Sequence, residues 1–124
     1  MARLRAQLRE FESSDDATFP VGPYVFRPSK RQLQDSATGR RVRLTEKETA
    51  ILRFLHRSGA RSVDRPELLR EVWGYNSGVT THTLETHIYR LRQKIESNPA
   101  YPVLLTTVGG GYRLEAEMAG ASGV

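Results

Sequence analysis

Residues 80–98, TTHTLETHIYRLRQKIESN, hold two histidines, four threonines, a tyrosine, two arginines, a glutamine and a lysine. These are hydrogen-bond donors, threaded between apolar residues at Leu84, Ile88, Leu91 and Ile95. The apolar spacing makes a narrow stripe along a helix expected from about Thr83 to Ser97. A step of about 100° per residue puts Thr86, Arg90, Gln93 and Ser97 opposite that stripe, with His82 and Tyr89 beside them. Arg90, near the middle, can offer a two-pronged fork to a guanine edge, and Gln93 can pair with adenine in the same fashion. On a duplex partner, Thr86, Arg90 and Gln93 would be the base-contacting residues. Thr83 and the free N–H groups of the first turn can hold a phosphate. His82 and Tyr89, and Arg92 and Lys94 on the flanks, are expected at phosphates.

Charge points the same way. The chain has 124 residues and a net charge of +5. Residues 21–114 carry 16 Lys and Arg against 8 Asp and Glu, whereas both ends are slightly acidic. A basic folded segment between acidic ends suits a polyanionic partner, most often nucleic acid.

Catalytic readings find little to stand on. There is no cysteine, which excludes disulfides, thiolate nucleophiles and Cys-based zinc sites. His82 and His87 are five apart and do not share a helical face as paired metal ligands would; His56 lies in another segment and reads as a surface residue. The GGGY run lacks the GK[ST] of a phosphate-binding loop, and no GxSxG occurs. Neither cofactor nor metal is expected, and the chain reads as a non-enzyme. No apolar run approaches a membrane span and the N-terminus lacks an apolar signal block, so a cytoplasmic location is expected, without membrane contact.

Other segments must position this helix. Residues 24–44 read as three short antiparallel strands: YVFRP, with Pro28 closing it; KRQLQD, with an SATG turn after it; and RRVRLT. TEKE, Thr45 to Glu48, is a capping box opening a helix whose buried face is Ile51, Leu52 and Leu55, with Phe54 beside them, and which Gly59 ends. DRPE opens a second helix, with Asp64 as N-cap, Pro66 in the first turn and Glu67 completing a box; its apolar side is Leu68, Leu69, Val72 and Trp73, and Gly74 ends it. After the third helix, closed by Asn98 and Pro99, residues 103–114 alternate, turn at Gly109 to Gly111 and return as a hairpin. Strands, three helices and a hairpin in that order make an α+β winged helix-turn-helix: an N-terminal antiparallel sheet, a three-helix bundle and a C-terminal β-hairpin wing.

RLTEKETAILRFL, DRPELLREVWG, TLETHIYRLRQKIE and TVGGGYRL together resemble the effector domain of OmpR/PhoB-type response regulators, the transcription factors of two-component systems. The resemblance covers residues 24–114. It implies sequence-specific binding of double-stranded DNA at a direct-repeat operator, as a tandem homodimer, to regulate transcription. It implies phosphate contacts from Trp73, Thr83 and His87, base reading by Arg90 and backbone support from Arg92. Thr107 joins the expected phosphate contacts, and Gly109, Gly110, Gly111 and Tyr112 form the wing. Residues 74–81 match a loop that in some members touches RNA polymerase. Two departures stand out. His82 occupies a position that is often Arg, which weakens that phosphate contact at neutral pH unless the ring is charged. The wing tip carries no basic residue, so a backbone-only approach, which glycine permits, replaces insertion of an arginine.

The resemblance also divides the chain. Residues 1–11 look like the end of a receiver domain's last helix, 12–22 a linker, 23–115 the winged-helix domain and 116–124 a flexible tail. On this reading the receiver, with the phosphoacceptor aspartate of the phosphorelay, lies outside the chain. The rival class is a winged-helix interaction module docking on RNA polymerase or on a receiver domain.

Overall fold

The computed structural model describes residues 17–59, 61–75 and 78–115. The expected receiver-helix remnant, residues 12–16 of the linker and the tail lie outside them. Four strands open the fold: β1 (Phe19–Val21), β2 (Tyr24–Arg27), β3 (Gln32–Asp35) and β4 (Arg41–Arg43), each antiparallel to the next. Phe26, Leu33 and Val42 fall in register across β2, β3 and β4, and all three are buried. The alternate row, Val25, Gln34 and Arg41, faces outward, as the two-residue strand period requires. Pro28 ends β2 in a single 3-10 turn, Pro28–Lys30, as its missing N–H dictates.

The fourth strand, β1, was not expected. β1 falls inside 12–22, and Pro20 obscured it in the sequence. On a sheet edge the missing N–H costs nothing, and Val21 is wholly buried.

Three helices follow: α1 (Glu46–Arg57), α2 (Arg65–Trp73) and α3 (Thr81–Ile95). The α1 box is reciprocal: Thr45 Oγ1 accepts from Glu48 N–H at 3.1 Å, and Glu48 Oε1 accepts from Thr45 N–H at 2.9 Å. In α2 only half of the expected box forms. Asp64 Oδ1 accepts from Glu67 N–H at 2.9 Å, but the Glu67 carboxylate turns to Arg61 at 3.2 Å. The α3 stripe is as expected, with Leu84, Ile88, Leu91 and Ile95 at most 3% exposed. The helix begins and ends two residues earlier than its sequence suggested. Glu96 leaves it in an extended conformation, φ −90° and ψ 139°, well before Pro99 could act.

The C-terminal part is a three-stranded sheet where a hairpin was expected. β6 (Leu105–Val108) and β7 (Gly111–Leu114) form the hairpin, and β5 (Val63–Asp64) pairs antiparallel with β7. Two residues are too few to show a period, so β5 was invisible in the sequence. A continuous core joins both sheets to the helices, from Phe26 and Leu33 through Ile51, Leu52, Leu55 and Leu68 to Leu91, Leu105 and Leu114.

His56 does not stand free on the surface. Its ring lies 5.0 Å from that of Phe19, and burial holds its pKa below the ordinary 6.5, against a smaller opposing effect of a hydrogen bond with the Pro20 backbone. Because the folded state resists protonating it, this contribution to stability is complete above pH 6.5 and declines as pH falls below it. Thermal midpoints between neutral and mildly acid pH should therefore fall less steeply in His56→Phe than in the wild type. Parallel curves would show that His56 plays no part.

Candidate nucleic-acid interface

What α3 can present is set by what holds its two flanks. On one flank, His87 Nδ1 lies 2.8 Å from the Thr83 carbonyl and its ring meets Trp73 edge-on at 5.1 Å. Lys47 sits over the Trp73 ring at 5.6 Å, which brings α1 to the same place. Further along, Lys94 Nζ pairs with Glu48 Oε1 at 2.6 Å and donates to the Arg43 carbonyl at 3.0 Å. Glu48 is 1% exposed, so its carboxylate has lost its water and the ammonium replaces it.

The other flank faces the hairpin. Arg92 donates from Nε to the Leu105 carbonyl at 2.9 Å and from a terminal nitrogen to Thr107 Oγ1 at 2.8 Å. Tyr112 is buried near two guanidinium groups, Arg65 at 4.9 Å and Arg92 at 5.8 Å from its ring centre. Arg65 Nε in turn lies 3.4 Å from Glu85 Oε2, an ion pair without a hydrogen bond. The far end of α3 is held by the first sheet, where the Tyr24 hydroxyl donates to the Ile95 carbonyl at 3.3 Å.

Between these anchors one strip of α3 remains open. His82, Tyr89, Arg90 and Gln93 are exposed and Thr86 is half-buried. The Arg90 guanidinium has no hydrogen bond or ion pair among the described residues. Gln93 Nε2 donates to the Tyr89 hydroxyl at 3.0 Å, and the Thr86 hydroxyl donates back to the His82 carbonyl at 3.0 Å. Thr80 caps the helix without a side-chain hydrogen bond, so no side chain closes off the first-turn donors. The Thr83 N–H is already given to the Thr80 carbonyl at 3.1 Å. Beside the strip stands the wing tip, with Gly109 and Gly110 exposed and Gly109 at φ 58°.

The structure thus brings together Arg90, Thr86, Gln93, His82, Tyr89 and the wing tip, with Trp73, Thr83 and His87 half-buried at one border. Several of the expected contact residues are engaged within the fold. Lys94 is paired with the buried carboxylate of Glu48, which ties α3 to α1. The Arg92 fork and the exposed Thr107 hydroxyl are engaged with each other across the hairpin. Tyr112 and Gly111 are buried at the wing root, leaving Gly109 and Gly110 as the tip. Glu48, Glu85 and Glu96 went unread as positioning groups. Glu48 was legible only as a cap, and nothing in the sequence marked the other two. Of the 74–81 loop, Tyr75 is exposed, with Arg70 5.8 Å from its ring centre, while residues 76 and 77 lie outside the described residues.

Among the described residues, no cluster of three or more His, Asp or Glu could hold a metal, and no helix is long and apolar enough to cross a membrane.

Comparison with known proteins gives concordant results. The family described as "Transcriptional regulatory protein, C terminal" matches residues 39–114. The sensory transduction protein RegX3 of Mycolicibacterium smegmatis is 40% identical over 119 residues, covering 93% of this chain and 52% of that protein. The chain thus spans about half the length of the curated relatives it matches. Among solved structures, the Klebsiella pneumoniae RstA DNA-binding domain in complex with the RstA box superposes with a TM-score of 0.66 at 26% identity, over 78% of this chain and 95% of that one. Thermotoga maritima DrrB, an OmpR/PhoB homologue, gives a TM-score of 0.72 at 26% identity, over 91% of this chain and 51% of that one.

Proposed function

The chain belongs to the OmpR/PhoB-type family of transcriptional regulatory C-terminal domains, the DNA-binding effector domains of response regulators, and we propose that it reads its operator through the open strip of α3. It is a winged-helix binding domain, not an enzyme. In this reading α3 enters the major groove. Arg90 reads a guanine, while Gln93 and Thr86 contact neighbouring bases. His82 and Tyr89 within the strip and Trp73, Thr83 and His87 at its border meet phosphates, and the wing tip approaches the adjacent backbone through its own N–H groups.

The observation that carries this reading is the unpartnered guanidinium of Arg90 at the centre of a strip whose flanks are tied on both sides. Arg90→Ala is expected to cost about 1–3 kcal/mol of discrimination between operator and random duplex, measured by competition titration at fixed salt. Equal weakening on both duplexes would reduce Arg90 to a phosphate contact. His87→Ala should weaken both about equally. Affinity should also fall steeply with added salt, because each neutralised phosphate releases counterions. A salt-indifferent chain that ignores duplex would favour docking on another protein instead.

The resemblance supports a receiver preceding this domain, tandem pairing on direct repeats, contact between residues 74–81 and RNA polymerase, and a cytoplasmic setting. The exposed Tyr75 fits a role for that loop as a contact surface.

A further inference from the structure

The edge of β6 that faces away from β7 is closed by side chains from α3 and its C-cap. Leu105 N–H donates to Glu96 Oε2 at 2.7 Å, and the Leu105 carbonyl accepts from Arg92 Nε at 2.9 Å. An acid and a base one helical turn apart thus stand where a neighbouring strand would be. Glu96 goes further. Its Oε1 accepts from Val103 N–H at 2.8 Å, and both oxygens accept from Leu104 N–H, at 3.2 and 2.9 Å. It is 7% exposed, so these charge-assisted bonds replace nearly all of its hydration.

The wing tip offers backbone only, at Gly109 and Gly110. A long basic side chain can search for a phosphate; a backbone N–H must already be aimed at one. We infer that Glu96 is the positioning residue of the wing: it touches no DNA, and it fixes the hairpin against α3 so that the tip N–H groups meet the duplex backbone while α3 reads the groove. Arg92 is its partner in this task. The inference rests on the proposed DNA reading of α3.

Glu96→Gln is the informative variant, because it puts an NH2 donor among backbone N–H donors. The probe is a duplex obtained by binding-site selection with the wild-type chain. Two maps are read on it: protection of guanine N7 from methylation in the major groove, and hydroxyl-radical protection of the backbone on the wing side. Glu96→Gln is expected to unfold cooperatively, keep the methylation protection, lose the wing-side protection and bind about tenfold more weakly. If the folded variant keeps both protections and its affinity, Glu96 is only a cap and the inference falls. Should Glu96→Gln fail to fold, Arg92→Lys serves in its place, since it keeps the charge but loses the fork; the same selective loss is expected, and its absence overturns the inference. A wild-type chain that protects no selected duplex overturns the DNA reading, and this inference with it.

Discussion

Gly111→Ala is expected to destabilise the domain by about 3 kcal/mol, the upper end of the usual cost of overpacking. A Cβ at this position would lie 2.1 Å from the Val63 carbonyl oxygen and 2.6 Å from Asp64 Cα. Both are backbone atoms of β5, so no side chain can swing aside. β7 would have to leave β5, and with it the Val63↔Tyr112 pairing that seats the wing root. Gly110→Ala is the internal control: nothing lies within 4 Å of its Cβ, and its stability should change by less than about 0.5 kcal/mol. Equilibrium urea denaturation of the two variants reads the contrast directly. Equal stabilities would mean that β5 yields without cost, and the wing would then not be rigidly seated.

Lys94→Met is expected to cost about 3 kcal/mol, the lower end of the range for removing one partner of a buried ion pair. The lower end applies because the Lys94 side chain is itself 32% exposed while Glu48 is 1% exposed. The loss arises from the carboxylate left behind, so removing its charge should recover it. Glu48→Gln with Lys94→Met should be more stable than Lys94→Met alone, and a double-mutant cycle by urea denaturation measures the coupling. Strict additivity of the two substitutions would show that the pair contributes nothing. The Lys94 result also separates two roles. A phosphate contact would lower DNA affinity with stability intact, whereas a positioning role lowers stability first.

Much of the fold was legible because its signals are local. The stripe Leu84, Ile88, Leu91 and Ile95 is a helical period, Thr45 with Glu48 is a capping box, and Pro28 and Gly74 are stops where they were expected. β1 and β5 were not legible for the same reason: two or three residues hold no period, and Pro20 argues against a strand unless the edge position is known. The central strip of the site, with Arg90 in its middle, followed from helical geometry alone.

What the sequence left open were the long-range commitments of its charged residues. Arg92 and Lys94 both looked like free cations on a flank. The first closes the edge of β6, and the second satisfies a carboxylate 46 residues earlier in the chain. Glu96 looked like one more polar residue near a helix end, yet it accepts from three successive backbone N–H groups. No spacing rule reports which cation on a basic helix is spoken for inside the fold, and that decides which ones remain for a ligand.

The most direct measurement is backbone amide resonance perturbation on titration with a duplex recovered by binding-site selection. The largest shifts are expected at His82, Thr86, Tyr89, Arg90 and Gln93 on α3 and at Gly109 and Gly110 on the wing, with the outer row of β2, β3 and β4 unmoved. Shifts concentrated on that outer row while α3 stays silent, or no shifts with any duplex, would contradict the DNA reading of α3.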